Sequence, residues 1–183
     1  MRIIGGELGG RKIDPPKGSE HTRPTSDRMR ESIFNKITHM PDAGFYDKRV
    51  ADIFAGTGAM GLEAISRGAA HATFVEKHAG MELVKRNAQT LSVDDRCAFL
   101  GADARNLPSV DAPFDMIFMD PPYGRGLAEP ALASAAEHGW LKNRTVVVIE
   151  IAADDSFEMP ADFTVVDDRA KGVTRVLYLE YQA

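Results

Sequence analysis

The feature that most constrains the fold is a glycine-rich turn between a strand-like and a helix-like segment. Residues 49–54 have the apolar character of a buried strand, and residues 62–65 begin the apolar spacing of a helix. Between them, residues 56–61 (Gly-Thr-Gly-Ala-Met-Gly) match the pattern G-x-G-x-x-G. Glycines at these positions permit a tight turn and let the backbone approach a ligand closely. The segment predicts a strand, a ligand-binding loop and a helix in succession, without choosing the ligand.

Strands and helices alternate along most of the remaining chain. Further strands are expected at 72–75, 97–100, 115–119 and 145–151, with helices near 79–91 and 127–138. This alternation predicts an α/β fold with a doubly wound, Rossmann-like sheet of mostly parallel strands. Residues 163–166 and 173–181 are strand-like with no helix between them. We therefore expect a C-terminal antiparallel hairpin at the end of the sheet.

The first forty residues are predicted to form an extension in front of the sheet. Residues 2–4 and 11–13 are short strand-like pieces around a glycine-rich turn, which indicates a hairpin. Three residues that favour helix N-caps then precede an apolar stripe at helical spacing, formed by Met29, Ile33, Phe34, Ile37 and Met40. We expect a helix that ends before Pro41. The chain is predicted to be one domain, 1–183, with an N-terminal extension at 1–40 and a catalytic core at 48–183.

Composition indicates an ordinary globular domain. The 183 residues are 44% hydrophobic and 27% charged, and no apolar run has the length of a membrane helix. The single cysteine, Cys97, cannot form an internal disulfide, and the five histidines lack metal-ligand spacing. We therefore expect a cytoplasmic protein with no membrane segment and no metal.

Charge is unevenly distributed along the chain. The first 49 residues hold ten Lys or Arg against seven Asp or Glu, a net charge of +3, whereas the rest holds twelve against twenty, a net charge of −8, and together they give −5. A mildly basic extension on an acidic body fits local contact with a polyanion. Ordinary surface variation is the alternative explanation.

Acidic residues near the glycine turn help to choose between two ligand classes. Glu76 follows the second strand, where a carboxylate can accept hydrogen bonds from ribose hydroxyls of either a dinucleotide or S-adenosylmethionine. Asp52 stands four residues before the first glycine, where it would repel the pyrophosphate of a dinucleotide. S-adenosylmethionine has no phosphate and carries an ammonium group, so Asp52 favours the methyl donor. Alternatively, Asp52 stabilises the N-terminus of the following helix.

The end of the third strand offers contacts for an adenine ring. Asp103 could accept a hydrogen bond from the adenine amino group, and the backbone of Ala104 could donate one. An ordinary loop aspartate is the alternative.

The most specific feature of the chain is Asp120-Pro121-Pro122-Tyr123 at the end of the fourth strand. An exocyclic amine of a nucleobase is a poor nucleophile because its lone pair is delocalised into the ring. The Asp120 carboxylate and the Pro121 carbonyl can accept both amine protons, and consecutive prolines hold these acceptors in place. Tyr123 offers a face on which a base can stack, and a base inside a duplex would first have to flip out. The motif predicts methylation of an amino group.

These motifs resemble those of class I S-adenosylmethionine-dependent methyltransferases, and more narrowly the bacterial small-subunit rRNA guanine-N2 methyltransferase family of the RsmD type. The glycine turn is common to many methyltransferases, whereas the front of the chain narrows the choice. The resemblance rests on the segments 3–6, 10–12, 23–35, 52–58, 76–77 and 120–127.

The resemblance implies S-adenosylmethionine as cofactor and methylation of N2 of one guanine in 16S rRNA, within an assembled or assembling small ribosomal subunit. It implies catalytic roles for Asp120, Pro121 and Tyr123. The implied cofactor-binding residues are Asp52, Phe54, Ala55, Gly56, Thr57, Gly58, Glu76, Lys77, Asp103 and Ala104. The implied substrate-binding residues are Arg23, Thr25, Arg28, Arg30, Pro122 and Arg125.

Three other classes of function remain compatible with parts of this pattern: a methyltransferase for a different amine, an oxidoreductase and a binding module. The same tetrapeptide could serve the N6 amine of adenine or the side-chain amide of a protein glutamine. A dinucleotide-dependent oxidoreductase would use only the glycine turn and Glu76. A catalytically silent RNA-binding module would use only the basic extension.

Overall fold

The computed structural model describes residues 1–16, 27–40 and 44–183, and its elements agree closely with the predicted segments. Within these residues, four α-helices and seven strands follow in the order α1 (Asp27–Thr38), β1 (Arg49–Ile53), α2 (Ala59–Ser66), β2 (His71–Glu76), α3 (His78–Leu91), β3 (Cys97–Gly101), β4 (Met116–Met119), α4 (Ala128–Glu137), β5 (Val146–Ala152), β6 (Phe163–Lys171) and β7 (Thr174–Tyr181). In this part of the chain, no helix is both long and apolar enough to cross a membrane.

The strands form one seven-stranded sheet in the order β3-β2-β1-β4-β5-β7-β6. β1 to β5 are parallel to one another, and β7 runs antiparallel to both β5 and β6. The predicted doubly wound sheet with a C-terminal hairpin is therefore confirmed. The strand order reverses between β1 and β4, and sheets of this kind bind ligands at the carboxyl ends of the strands beside that reversal.

Both faces of the central strands are buried, which explains their continuous apolar sequences. In β1, Val50 packs with the cluster beneath α2 and α3, whereas Ala51 and Ile53 belong to the cluster on the opposite face. This second cluster includes Leu132 of α4 and Trp140. Two hydrophobic layers thus hold the sheet and fix the positions of the loops at its carboxyl edge.

One boundary of the sequence prediction was wrong. β6 extends to Lys171, five residues beyond the expected end at 166. Most of its side chains are exposed because it is the edge strand of the sheet. Residues 167–171 therefore lack the apolar alternation that a half-buried strand shows, and sequence periodicity could not detect them.

The predicted N-terminal hairpin is confirmed as a short antiparallel bridge between Arg2 and Lys12. The Ile3 amide donates to the Arg11 carbonyl at 2.9 Å. The turn lies against α2, where Gly6 has a φ of +75° and a Cβ there would lie 1.8 Å from the Ser66 carbonyl oxygen. Only glycine allows this approach, so the hairpin is fitted closely to the helix that follows the glycine turn.

Candidate active site

The loop after β1 forms a compact left-handed turn at the point where the strand order reverses. Phe54, Gly56 and Gly58 all have positive φ, at 66°, 56° and 78°. A Cβ at Gly61 would lie 2.4 Å from the Phe74 ring, so this glycine allows α2 to pack directly on β2. The Thr57 carbonyl accepts a hydrogen bond of 2.9 Å from the buried Asn87 amide of α3. The loop is therefore held from both sides, and its backbone faces the sheet edge.

Glu76 ends β2 beside this loop. Its Oε2 accepts a hydrogen bond of 2.8 Å from the Gly56 amide, and its Oε1 accepts one of 2.8 Å from the Lys77 amide. These contacts follow from the parallel pairing of Ile53 with Val75, which places the ends of β1 and β2 next to each other. The structure thus brings Glu76 to the glycine turn, as the sequence predicted.

Asp52 lies beneath the same turn and is only 2% exposed. Its Oδ2 accepts a hydrogen bond of 2.9 Å from the Gly61 amide, in the first turn of α2. Burial, together with the negative charges of Asp120 and Glu76, raises the pKa of Asp52 to about 8. Asp52 therefore binds the start of α2, which is the alternative role considered for it, while Glu76 and Asp120 supply the negative charge beside it.

The three carboxylates at this edge of the sheet set the kind of cofactor that fits. Asp52, Glu76 and Asp120 interact closely enough that the last two raise the pKa of the first. A cofactor that carries a sulfonium and an ammonium group relieves this repulsion, whereas a pyrophosphate adds to it. The residues present therefore fit S-adenosylmethionine and oppose a dinucleotide.

Asp103 and Ala104 follow β3 on the far side of Glu76. The Asp103 carboxylate accepts hydrogen bonds from the Arg105 amide at 3.0 Å and from its guanidinium Nη2 at 2.6 Å. These hydrogen bonds hold the pKa of Asp103 well below its usual value. Ala104 is buried. The partnership with Arg105 was not predicted, and it keeps Asp103 ionised as a hydrogen-bond acceptor.

The Asp-Pro-Pro-Tyr motif begins directly after β4, next to the glycine turn. Met119, the last residue of β4, pairs with Ile53, the last residue of the neighbouring strand β1. The loop that begins at Asp120 therefore leaves the sheet beside the glycine turn. Asp120 and Pro122 are exposed, and Pro121 is buried. The Tyr123 side chain is 42% exposed, and its hydroxyl donates a hydrogen bond of 2.7 Å to Glu150 Oε1.

The structure adds Glu150 to the site, and sequence analysis had missed it. Glu150 is 8% exposed within the otherwise apolar strand β5. A buried charged residue is rare without a partner, so a glutamate within an apolar strand could have indicated a buried contact. Its partner Tyr123 lies 27 residues earlier in the chain, so the contact itself could not be read from the sequence.

The comparisons with known proteins agree with this geometry. The family described as conserved hypothetical protein 95 matches residues 1–180. The ribosomal RNA small subunit methyltransferase D of Haemophilus influenzae is 36% identical over 100% of this chain and 93% of its own length. The enzyme of the same name from Escherichia coli K12 is 34% identical over 100% of this chain and 89% of its own.

The chain belongs to the ribosomal RNA small subunit methyltransferase D family. The predicted family and enzyme class are thereby confirmed. The fold is confirmed as well, because a solved structure of the Escherichia coli protein yhhF superposes with a TM-score of 0.85 at 31% identity. That match covers 100% of this chain and 98% of the other.

In this family member, the predicted substrate contact Arg28 lines a shallow polar groove that also contains Glu31. Arg28 is exposed on α1, and the groove of about 570 Å³ continues past Lys36 of the same helix and His39, directly after its end, to Arg169 of β6. Asp167 binds Lys36 at 2.8 Å and Arg169 at 2.8 Å. Helical spacing from Arg28 could have revealed Lys36 and His39, whereas Arg169 comes from a distant strand.

The structure contradicts the substrate role expected for Arg30. Its side chain is only 1% exposed, and its Nη2 donates to Asp27 at 2.7 Å and to the Arg2 carbonyl at 2.8 Å. A guanidinium buried in this way is not placed to bind a phosphate. Arg30 instead joins α1 to the N-terminal hairpin, because the apolar stripe of α1 turns this position inward as well.

The other predicted substrate residues lie in different surroundings. Arg125 is exposed in the turn between Gly124 and Gly126, directly after the Asp-Pro-Pro-Tyr motif. Arg23 and Thr25 lie outside the described residues.

Proposed function

We propose that this protein transfers a methyl group from S-adenosylmethionine to the exocyclic N2 amine of a guanine in 16S rRNA of the small ribosomal subunit. The observation that carries the proposal is the position of Asp120 in a member of an rRNA methyltransferase family. Asp120 follows the strand next to β1, and its negative charge acts on Asp52 beneath the glycine turn. Such a site places an acceptor for an amine beside a pocket for a cationic cofactor.

The cofactor would lie along the carboxyl ends of β1, β2 and β3. Its methionine part would face the glycine turn over residues 54–58 and Asp52, and Glu76 with Lys77 would hold the ribose. Asp103 and the Ala104 amide would contact the adenine. When bound, S-adenosylmethionine supplies a methyl group made electrophilic by its positively charged sulfur.

The motif would orient the target amine toward that methyl group. The Asp120 carboxylate and the Pro121 carbonyl would accept one hydrogen bond each from the two amine protons, which directs the nitrogen lone pair out of the ring plane. The exposed face of Tyr123 would stack on the base beside Pro122. After transfer, the nitrogen loses a proton, and the Asp120 carboxylate would accept it.

The substrate assignment uses the names of the two relatives together with two exposed arginines. Small-subunit rRNA presents a dense array of phosphates, which suits Arg28 and Arg125 as exposed contacts. Arg23 and Thr25 are proposed as further contacts on the strength of the family resemblance. Ribosomal RNA as substrate would also place the enzyme in the cytoplasm.

The experiment that tests the proposal supplies labelled S-adenosylmethionine and small subunits from a strain that lacks this methylation. We expect label in 16S rRNA, mapped to N2 of one guanine, and a labelling rate about 10²- to 10³-fold lower with the Asp120→Ala variant. A parallel reaction with protein-free 16S rRNA determines whether the assembled particle is required. Label in adenine, DNA or a protein glutamine would overturn the guanine assignment.

A further inference from the structure

We propose that Glu150 and Thr174 are positioning residues, which hold the Tyr123 ring in the orientation that stacks on the target base. This inference rests on the proposed function, and it gives the C-terminal hairpin a part in the reaction. Neither residue is expected to touch the cofactor or the reacting atoms, because both act through the tyrosine hydroxyl.

The contacts hold one end of the tyrosine and leave its ring accessible. The Tyr123 hydroxyl donates to Glu150 Oε1 at 2.7 Å, and Thr174 Oγ1 lies 3.2 Å from the same oxygen. Glu150 is only 8% exposed, whereas Tyr123 is 42% exposed. The hydroxyl is therefore bound to a buried anchor, while part of the ring stays open to solvent and to a base.

The pairing of β5 with β7 explains why these two residues meet. Ala152 pairs with Thr174, and Glu150 pairs with Val176. Because side chains alternate along a strand, Glu150, Ala152 and Thr174 share one face, and Glu150 is the diagonal neighbour of Thr174. The antiparallel pairing of β7 with β5 thus brings Thr174 next to Glu150. Because β5 lies beside β4, both residues are close to the loop that follows β4.

The loop that carries Tyr123 needs such an anchor. Gly124 and Gly126 follow it with φ values of 66° and 55°, in a turn that is exposed to solvent. The two prolines stiffen the backbone before Tyr123, but they do not restrict its side-chain rotamers. A ring that is free to rotate would lose conformational entropy when a base stacks on it, and an anchored ring has already lost that freedom.

The chemistry of the hydroxyl agrees with an anchoring role. A hydrogen bond from a hydroxyl to a carboxylate is stronger than one between neutral groups. Burial and the hydrogen bond to Glu150 raise the pKa of Tyr123 well above its usual value. The hydroxyl therefore stays protonated at neutral pH and donates to Glu150, and it is not available as a base.

A double-mutant cycle tests the inference on the full-length protein. The variants are Tyr123→Phe, which keeps the ring and removes the hydroxyl, Glu150→Ala, and the combination of both. Each single variant is expected to lower kcat/KM for methylation of small subunits about three- to tenfold, the effect of releasing one side chain before binding. The double variant should lose no more activity than the more impaired single variant, because both changes remove the same contact.

Two conservative variants and one binding measurement separate anchoring from a general structural effect. Glu150→Gln keeps an oxygen acceptor and should lose less activity than Glu150→Ala. Thr174→Val keeps the shape of the side chain and should have no additional effect once Tyr123 is Phe. The affinity for S-adenosylhomocysteine, measured by calorimetry, should stay within about twofold in every variant, since the anchor lies outside the cofactor pocket.

The outcomes distinguish this inference from the proposed function. If wild-type protein fails to methylate 16S rRNA, the proposed function is wrong, and the inference falls with it before any variant is compared. If wild-type protein is active but the losses from Tyr123→Phe and Glu150→Ala multiply, Glu150 does not act through the hydroxyl and only this inference is overturned. Should Glu150→Ala unfold, the cycle of Tyr123→Phe with Thr174→Val decides by the same criterion.

Discussion

Replacing Glu63 by Ala should destabilise the protein more than any change to a surface carboxylate. Glu63 lies in α2 with its side chain fully buried. Its Oε2 accepts the Ile4 amide at 2.6 Å, and its Oε1 accepts the Gly5 amide at 2.8 Å and Arg67 Nε at 2.8 Å. This carboxylate therefore joins the N-terminal hairpin to the helix that starts at the glycine turn.

The expected loss follows from these three contacts. Removing one partner of a buried ion pair costs about 3–5 kcal/mol, because the remaining groups stay desolvated without a partner. The Arg67 side chain is 17% exposed, so water can replace part of its bond, and we expect the lower end of that range, about 3 kcal/mol. In a chain of this length, 1 kcal/mol shifts Tm by about 2–4 °C, so the Tm should fall by about 6–12 °C.

Thermal and urea unfolding at pH 7 measure this effect. The matched control is Glu82→Ala in α3, because its side chain is 76% exposed and forms an i,i+3 pair with Lys85, which should contribute less than about 1 kcal/mol. Amide hydrogen exchange at Ile4 and Gly5 should quicken in Glu63→Ala alone. A Glu63→Ala Tm within 2 °C of the control, roughly the effect of 1 kcal/mol or less, would refute the reasoning.

Asp120→Ala should lower kcat by about 10²- to 10³-fold while calorimetry shows unchanged cofactor affinity, since it removes an acceptor that orients the amine; turnover near that of an exposed control, Asp154→Ala, would contradict this role. Arg28→Ala should reduce the slope of log affinity for rRNA against log salt by about one, and an unaltered slope would exclude a phosphate contact. Asp52 has a folded-state pKa raised to about 8. Its contribution to stability is therefore lost as pH rises from about 4 through 8. Asp52→Asn should flatten this dependence in urea unfolding at pH 6 and 8.5, and an unchanged slope would show that Asp52 is ionised throughout.

The hydrophobic pattern within each segment was sufficient to predict most of the strands and helices. The alternation of apolar strands with amphipathic helices predicted β1 to β5 and the helices between them, because each segment carries its own periodicity. The lack of a helix between the last two strands predicted the hairpin. The edge strand β6 was underestimated, since an exposed strand has no apolar alternation to detect.

In the candidate site as well, some residues were placed correctly from the sequence and others were not. Glu76 and Asp120 were placed correctly because each follows a parallel strand, and the ends of parallel strands meet at one edge of the sheet. Arg30 was assigned to substrate binding because of the family resemblance, but its helix position turns it toward Asp27 and the hairpin. Arg30 is buried because the N-terminal hairpin packs against it, and the periodicity of one helix does not identify which other segment will pack there.

The amino-acid sequence by itself determined the order of the strands and helices, the glycine turn and the Asp-Pro-Pro-Tyr motif, because these depend on backbone preferences and on neighbours within one turn or strand. Only the tertiary structure decided that Glu150 and Thr174 meet the Tyr123 hydroxyl and that Glu63 holds the N-terminal hairpin. These partners are separated by 27 to 59 residues along the chain. Their contact is set by strand register and helix packing, which arise only when the whole sheet has formed.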